Sequence, residues 1–306
     1  MTHAILKTPT LWKSVALSLA LAGPVAADPA TYASAQDALE AMMGALAAED
    51  RDAVLTVFGR ESADFLSAGD PEEDAANRAL LLELFAEGFQ LEPQDDGSVV
   101  IALGDEDWPF PIPVAMSGDG WAFDIEAGRE EVILREIGRN ELEVVDLLDA
   151  YVDIQAAFRL VDHDGDGVME FARQIISSSE TARDGLFWAT PDSPLGELFA
   201  RASATGFSDG EQDHEPEPYS GYYFRLLTAQ TASAPGGAMS YLVNDNMVGG
   251  HALLAVPAEF GETGVHSFMV SENGVILEAV LGEDTLDIAA DMMAYDPTAD
   301  WTPVED

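Results

Sequence analysis

The chain has 306 residues, with 57 Asp and Glu against 13 Lys and Arg, a formal net charge of -44 at pH 7. Affinity for a phosphate backbone comes from counterions displaced by Lys and Arg, so this composition argues against DNA or RNA binding. The absence of cysteine excludes a disulfide framework, a thiolate nucleophile and cysteine-ligated metals, while 47% hydrophobic residues supply the apolar surface of a folded core.

Residues 1–27 hold Lys7 and Lys13 and no acid, then an apolar run from Val15 to Ala22, a Gly23-Pro24 break and Val25-Ala26-Ala27. A basic start, a short apolar stretch and small residues before Asp28 make a secretory signal, with cleavage expected after Ala27. The apolar run is too short for a membrane span, which needs about 20 residues. The expected location is therefore the periplasm or the exterior, with no transmembrane segment after signal removal. Loss of the two lysines takes the 13 basic residues to 11, all arginine, and the charge from -44 to -46. A lysine-free mature chain has no P-loop lysine, no pyridoxal Schiff base and no Ser-Lys dyad. The excess acid reads mainly as a solubility and salt adaptation of the surface.

The length predicts two domains, placed at 28–138 and 139–306. In the first, the apolar positions of Ser34 to Phe58 predict two short helices with Glu49-Asp50 at the junction. Asp70-Pro71-Glu72-Glu73 opens a third, with an N-cap, a proline at N1 and acids facing the positive end of the dipole. The period then changes to two, predicting strands over Ser98 to Leu103, Ile112 to Ser117 and Trp121 to Asp124. Asp107-Trp108-Pro109-Phe110-Pro111 is expected outside any central strand, because its prolines lack donors. Ala127 to Leu160 carries a helical period with a weak point at Gly138, predicting one helix to about Gly138 and a second from Asn140. Helices followed by a curled antiparallel sheet resemble, in pattern, the cone of the nuclear-transport-factor-2-like fold.

The second domain is expected to hold helices through Phe171-Ile176 and Leu195-Ala204, an exposed acidic loop 208–218, and a run of strands. The strands are Tyr219 to Leu227, Ser240 to Val243, Ala252 to Val256, Val265 to Val270 and Val275 to Leu281, before a short helix from Thr285. Asn273-Gly274 predicts a type I′ hairpin, in which both central residues take positive φ. The fold class is thus α+β in both domains.

Specific segments accumulate along this path: Asp107-Trp108-Pro109-Phe110-Pro111-Ile112-Pro113, Gly138-Arg139-Asn140-Glu141, Gly185-Leu186-Phe187-Trp188, Gly221-Tyr222-Tyr223-Phe224-Arg225 and Ala234-Pro235-Gly236-Gly237-Ala238. On these the chain resembles a family of exported bacterial proteins catalogued as domain of unknown function 2950. The resemblance implies export and a shared fold, and supplies no catalytic residues. Residues 140–281 also resemble the head domain of type II secretion pseudopilins and type IV pilins, through Ala255-Val256-Pro257, the Gly261-to-Phe268 stretch and Asn273-Gly274-Val275-Ile276. The pilin's membrane helix is missing, its place being taken by the first domain, so the likeness is to the head alone.

One stretch turns negative charge into a specific pattern. Asp162, Asp164 and Asp166 stand at positions 1, 3 and 5 of an EF-hand-like loop over 162–173, with Gly167 at 6, the Val168 carbonyl at 7 and Glu170 at 9. Position 12, normally a bidentate Glu, is Arg173; an acid such as Asp184 would have to complete the shell. The expected cofactor is a structural Ca²⁺ ion, against the alternative of an Asx-rich turn without metal. Arg139-Asn140-Glu141 reads as a helix-junction ion pair and cap rather than an acid/base site. His251 and His266 read as separately packed residues rather than a metal pair. Tyr219, Tyr222, Tyr223 and Phe224 offer a ligand platform or, by alternation, one core face. No HExxH or GxGxxG signature is present. The function expected is that of an exported envelope protein that binds a partner or ligand without catalysis; the alternative is a hydrolase using Asp or Glu residues in a pocket of the first domain.

Overall fold

The structure, a computed structural model, describes residues 28–179, 182–188, 190–203, 207–208, 213–214 and 216–305. Residues 1–27, where the signal is expected, and residues 209–212 and 215 of the expected acidic loop 208–218 lie outside the described residues. The chain divides into two compact units, Met1–Gly128 and Arg129–Asp306.

The first three α-helices each start on a side-chain cap, which satisfies backbone N–H groups that have no helical partner. Ser34 accepts from Asp37 N to open α1 (Ala35–Ala47), Asp50 accepts from Ala53 N to open α2 (Arg51–Phe58), and Asp70 accepts from Glu72 N to open α3 (Pro71–Glu87). The sheet comprises β1 (Phe89–Pro93), β2 (Val99–Leu103), β3 (Trp108–Pro109), β4 (Val114–Ser117) and β5 (Gly120–Phe123). Its order is β1-β2-β4-β5, antiparallel and open, with β3 paired to the end of β2. The Trp-Pro bend is thus a two-residue edge element, as its missing donors require. Leu39, Met42, Phe58, Ile101, Leu103 and Phe123 form the interior of this unit.

The helix α4 (Ile125–Phe158) is continuous, correcting the break expected at Gly138. That glycine is exposed and crowds nothing. Its cost of about 1 kcal/mol relative to alanine is set against the burial of Val144, Leu148 and Tyr151 further along the same helix.

A second correction concerns Phe171–Ile176. Instead of a helix, Phe171 bridges to Met247, and β6 (Gln174–Ile176) pairs in parallel with β7 (Gly185–Phe187). Next come α5 (Glu197–Arg201), β8 (Phe207–Ser208) with β9 (Asp213–His214), β10 (Tyr222–Leu227), and β11 (Ala229–Gln230) with β12 (Met239–Ser240). The small hairpin β13 (Leu242–Val243) and β14 (Asn246–Met247) leads to β15 (Ala252–Pro257), β16 (Ser267–Ser271), β17 (Leu277–Ala279), α6 (Thr285–Asp291) and β18 (Thr302–Pro303).

The main sheet runs β10-β15-β16-β17-β18, antiparallel throughout. Every residue of β15 is buried, so Ala252-Leu253-Leu254-Ala255-Val256 reads as an unbroken apolar run rather than an alternation. Leu253 and Ala255 face the core that holds Leu148, Tyr151, Phe224 and Phe268, while Leu254 and Val256 face a second core with Met247, Met269 and Trp301. At Asn273-Gly274 only Gly274 has positive φ. The Asn273 side chain accepts from Val275 N while Gly274 N donates to Ser271 O, giving a wider turn in place of the expected type I′ hairpin. Among the described residues, no helix is long and apolar enough to cross a membrane.

Candidate functional site

The acidic loop leaves α4 at Phe158 and is pinned on both sides. At its start His163 stacks on the Phe158 ring with centroids 4.0 Å apart, and the Arg159 guanidinium lies 4.3 Å from the Phe171 ring centroid. Towards its end Phe171 bridges to Met247.

Within the loop Asp162 accepts from Gly165 N at 2.8 Å and from Gly167 N at 2.9 Å. Asp164 accepts from Asp166 N at 3.2 Å, and Asp166 from Val168 N at 2.7 Å. Gly165 and Gly167 take φ of 79° and 89°, a left-handed backbone that side chains with a Cβ rarely adopt. The result is that one oxygen from each of Asp162, Asp164 and Asp166 comes within 4.8 Å of the other two. Partial desolvation works against ionisation of Asp162, but the N–H groups of Gly167 and Gly165 outweigh it and hold the carboxyl below the usual range.

The remaining predicted ligands are placed differently. Glu170 lies outside that trio and accepts from Met247 N at 2.7 Å; burial, with Asp164 and Asp166 nearby, pushes its carboxyl up. Asp166 also accepts from Asn246 Nδ2 at 2.6 Å, so two of the loop's acids reach the β13–β14 hairpin. Arg173 donates to Asp184 at 2.8 Å, and Ser178 supplies two further hydrogen bonds to the same carboxylate. Asp184 is therefore engaged by Arg173 and Ser178 and lies outside the aspartate trio.

The Arg139-Asn140-Glu141 cluster is a clamp built on two of its three residues. Glu141 accepts from Val265 N at 2.8 Å and His266 N at 2.9 Å, and its second oxygen meets His266 Nδ1 at 3.1 Å. Asn140 donates to Thr263 O at 3.0 Å. The segment is held so close that a Cβ on Gly264 would sit 2.1 Å from the Tyr222 hydroxyl.

The two β-region histidines have separate partners. While His266 belongs to the Glu141 clamp, His251 is 1% exposed, with Nδ1 3.1 Å from the Tyr151 hydroxyl. The ring also packs edge-on against Tyr151 and Phe171. Burial, with the Arg159 charge nearby, lowers the His251 pKa to about 4. A cleft of about 300 Å³ is lined by His251 with Tyr241, Ser271, Glu272, Asn273 and Tyr295 among others. Composition and motif gave no hint of this cleft; the one available signal was a histidine, His251, next to an unbroken apolar strand. A second cleft of about 310 Å³, lined by Tyr223, Phe224, Arg225, Leu254 and Val256 with α6 residues, is mostly apolar. Its arginine is already used, donating to the Ala289 and Ala290 carbonyls at the end of α6.

Comparison with curated proteins and with solved structures finds no match. A family model does match, described as Protein of unknown function (DUF2950), over residues 29–304. That match takes in all but one residue of the described chain at either end, both units and the acidic loop included, and the chain belongs to the DUF2950 family.

Proposed function

We propose that this is an exported envelope protein that binds without catalysis, its second unit stapled by a structural Ca²⁺ at Asp162, Asp164 and Asp166. The observation that carries the reading is the approach of three carboxylate oxygens to within 4.8 Å in a loop tied to a distant hairpin. Three anionic groups at that spacing repel one another, and a hard divalent cation with oxygen ligands is the species that reverses the sign of the interaction. The Val168 carbonyl and Glu170 are the further ligands proposed. Without an acid at position 12 the affinity falls in the range of extracellular modules, about 10⁻⁴ to 10⁻³ M, which suits an exported chain.

Two features support binding over hydrolysis. The first unit's interior, where the hydrolase reading needs a cavity, holds Leu39, Met42, Ile101, Leu103 and Phe123. The buried histidine, lowered to about 4, is a weak base far from neutral pH. Calorimetry and melting with Ca²⁺ and then with chelator test the staple. Binding heat and a melting temperature that falls on chelation are expected; no heat and an unchanged melt would overturn the metal. Recovery of the cell-envelope protein with an N-terminus at Asp28 tests export, and a precursor-sized form lacking that terminus would oppose it.

A further inference from the structure

One residue lining the second unit's polar cleft, His251, carries a donor that the fold does not use. Gln155, fully buried, accepts from Ala172 N at 2.9 Å through its carbonyl oxygen, which fixes which way the amide points. Its Nε2 must then be the donor, to Ala172 O at 3.0 Å and to the Tyr151 oxygen at 3.3 Å. With that oxygen already accepting, the Tyr151 proton has one acceptor within reach, Nδ1 of His251. A neutral imidazole that accepts at Nδ1 carries its proton on Nε2. Nε2–H has no hydrogen-bond partner among the described residues, and His251, 1% exposed, is one of the residues that line the cleft.

The other polar groups of the cleft sort by whether they are spent. Tyr241 donates to Gln230 at 3.0 Å, while Tyr295, Ser271 and Asn273 add uncharged polar groups to the lining. Glu272 stands at the rim, half exposed, 3.6 Å from Arg159. The cleft thus offers uncharged polar groups, His251 among them, and a carboxylate acceptor at the rim, between aromatic edges. An anion would meet Glu272 and the field of a chain carrying -44. A cation would meet the Nε2–H donor and a carboxylate already balanced by Arg159. An uncharged molecule with hydroxyl groups satisfies both, accepting from the histidine and donating to the glutamate, and about 300 Å³ sits at the small end of ligand sites.

The geometry points to a binding site for a neutral, hydroxyl-rich ligand of monosaccharide size, with His251 as the inner donor and Glu272 as the rim acceptor. This gives the binding reading above a site and a ligand class, and rests on it; it does not depend on the metal.

The test uses the whole mature chain with glucose, galactose and N-acetylglucosamine as probes, and glucuronate as the charged control. Binding is read by calorimetry and by the ¹⁵N resonances of His251, in calcium and again in chelator. At least one neutral sugar is expected to bind and shift the Nε2–H signal, with affinity about tenfold weaker in His251→Phe, as loss of one buried hydrogen bond predicts. Because that variant also strips Tyr151 of its acceptor, Glu272→Gln at the exposed rim serves as a second probe, with several-fold weakening expected. The proposal is overturned if no neutral sugar binds at about 10 mM, a Kd worth less than 3 kcal/mol, if glucuronate binds as well as glucose, or if both variants bind like the parent. Sugar binding that survives chelation while the calcium melt shows no shift would remove the metal and keep the cleft.

Discussion

Arg173 stands where a calcium loop would carry its last acid, and it spends its guanidinium on Asp184, 2.8 Å away. The pair turns the twelfth position from a ligand into the lock of the neighbouring β6–β7 segment, since Asp184 also accepts from the Ser178 backbone and hydroxyl.

Asp184→Ala is expected to cost about 2 to 3 kcal/mol, because Ser178 N and Arg173 lose a charge-assisted acceptor in a mostly buried site. Burial opposes the Asp184 charge, but Ser178 and Arg173 outweigh it and hold the carboxyl below the usual range. A folded pKa below the unfolded one gives stability that is complete above about pH 4 and lost as pH falls through the folded value. Denaturant melts of parent and variant between pH 6 and pH 2 check this: the gap should narrow in acid, and a constant gap would count against it.

Asp164→Ala isolates the metal from the loop. Among the described residues, Asp162 holds two backbone N–H groups and Asp166 holds Asn246, whereas Asp164 accepts only from Asp166 N. The variant should match the parent in chelator to within about 0.5 kcal/mol, yet lose most of the stabilisation that calcium confers by mass action. Equal calcium shifts in both proteins would falsify the aspartate trio as the site.

Glu141→Ala should cost about 2 kcal/mol or more, since Val265 N and His266 N are left without their acceptor. Gly264→Ala should be at least as damaging, about 3 kcal/mol, because the added carbon meets the Tyr222 ring and not the end of a flexible chain. Chemical denaturation measures both; a loss below 0.5 kcal/mol in either, small by the usual scale of about 1 for point changes, would mean the clamp yields.

His251 carries a second acid-sensitive contribution. Its folded pKa of about 4 lies below the ordinary 6.5, so folding favours the neutral ring. That contribution is full above about pH 6.5 and declines as pH falls towards 4. His251→Phe should flatten the stability profile between those values, a window above the one assigned to Asp184.

Legibility followed the range of the interactions. The helices opened by Ser34, Asp50 and Asp70 were readable because cap and apolar stripe lie within one turn of each other. The aspartate loop was readable because its three acids span five residues. Phe171–Ile176 misled because Phe171, Ala172 and Ile175 mimic a helical stripe while their partners, Met247 and β7, are set by distant chain. Gly138 misled because a 34-residue helix tolerates one weak position. The His251 cleft drew its parts from β11, β16 and the segments around Tyr241, His251 and Tyr295, so no window of sequence held it.

The main sheet ends at Thr302 and Pro303, a strand of two exposed residues paired with Glu278 and Leu277. Proline has no N–H to offer a newcomer, so this border refuses another strand. A chain clipped before Trp301 would bare the Leu277–Ala279 backbone and part of the core beneath it, leaving an open template for edge-to-edge polymerisation. Two residues of closing strand therefore act as a guard against aggregation, a service to solubility that the acidic surface alone does not perform.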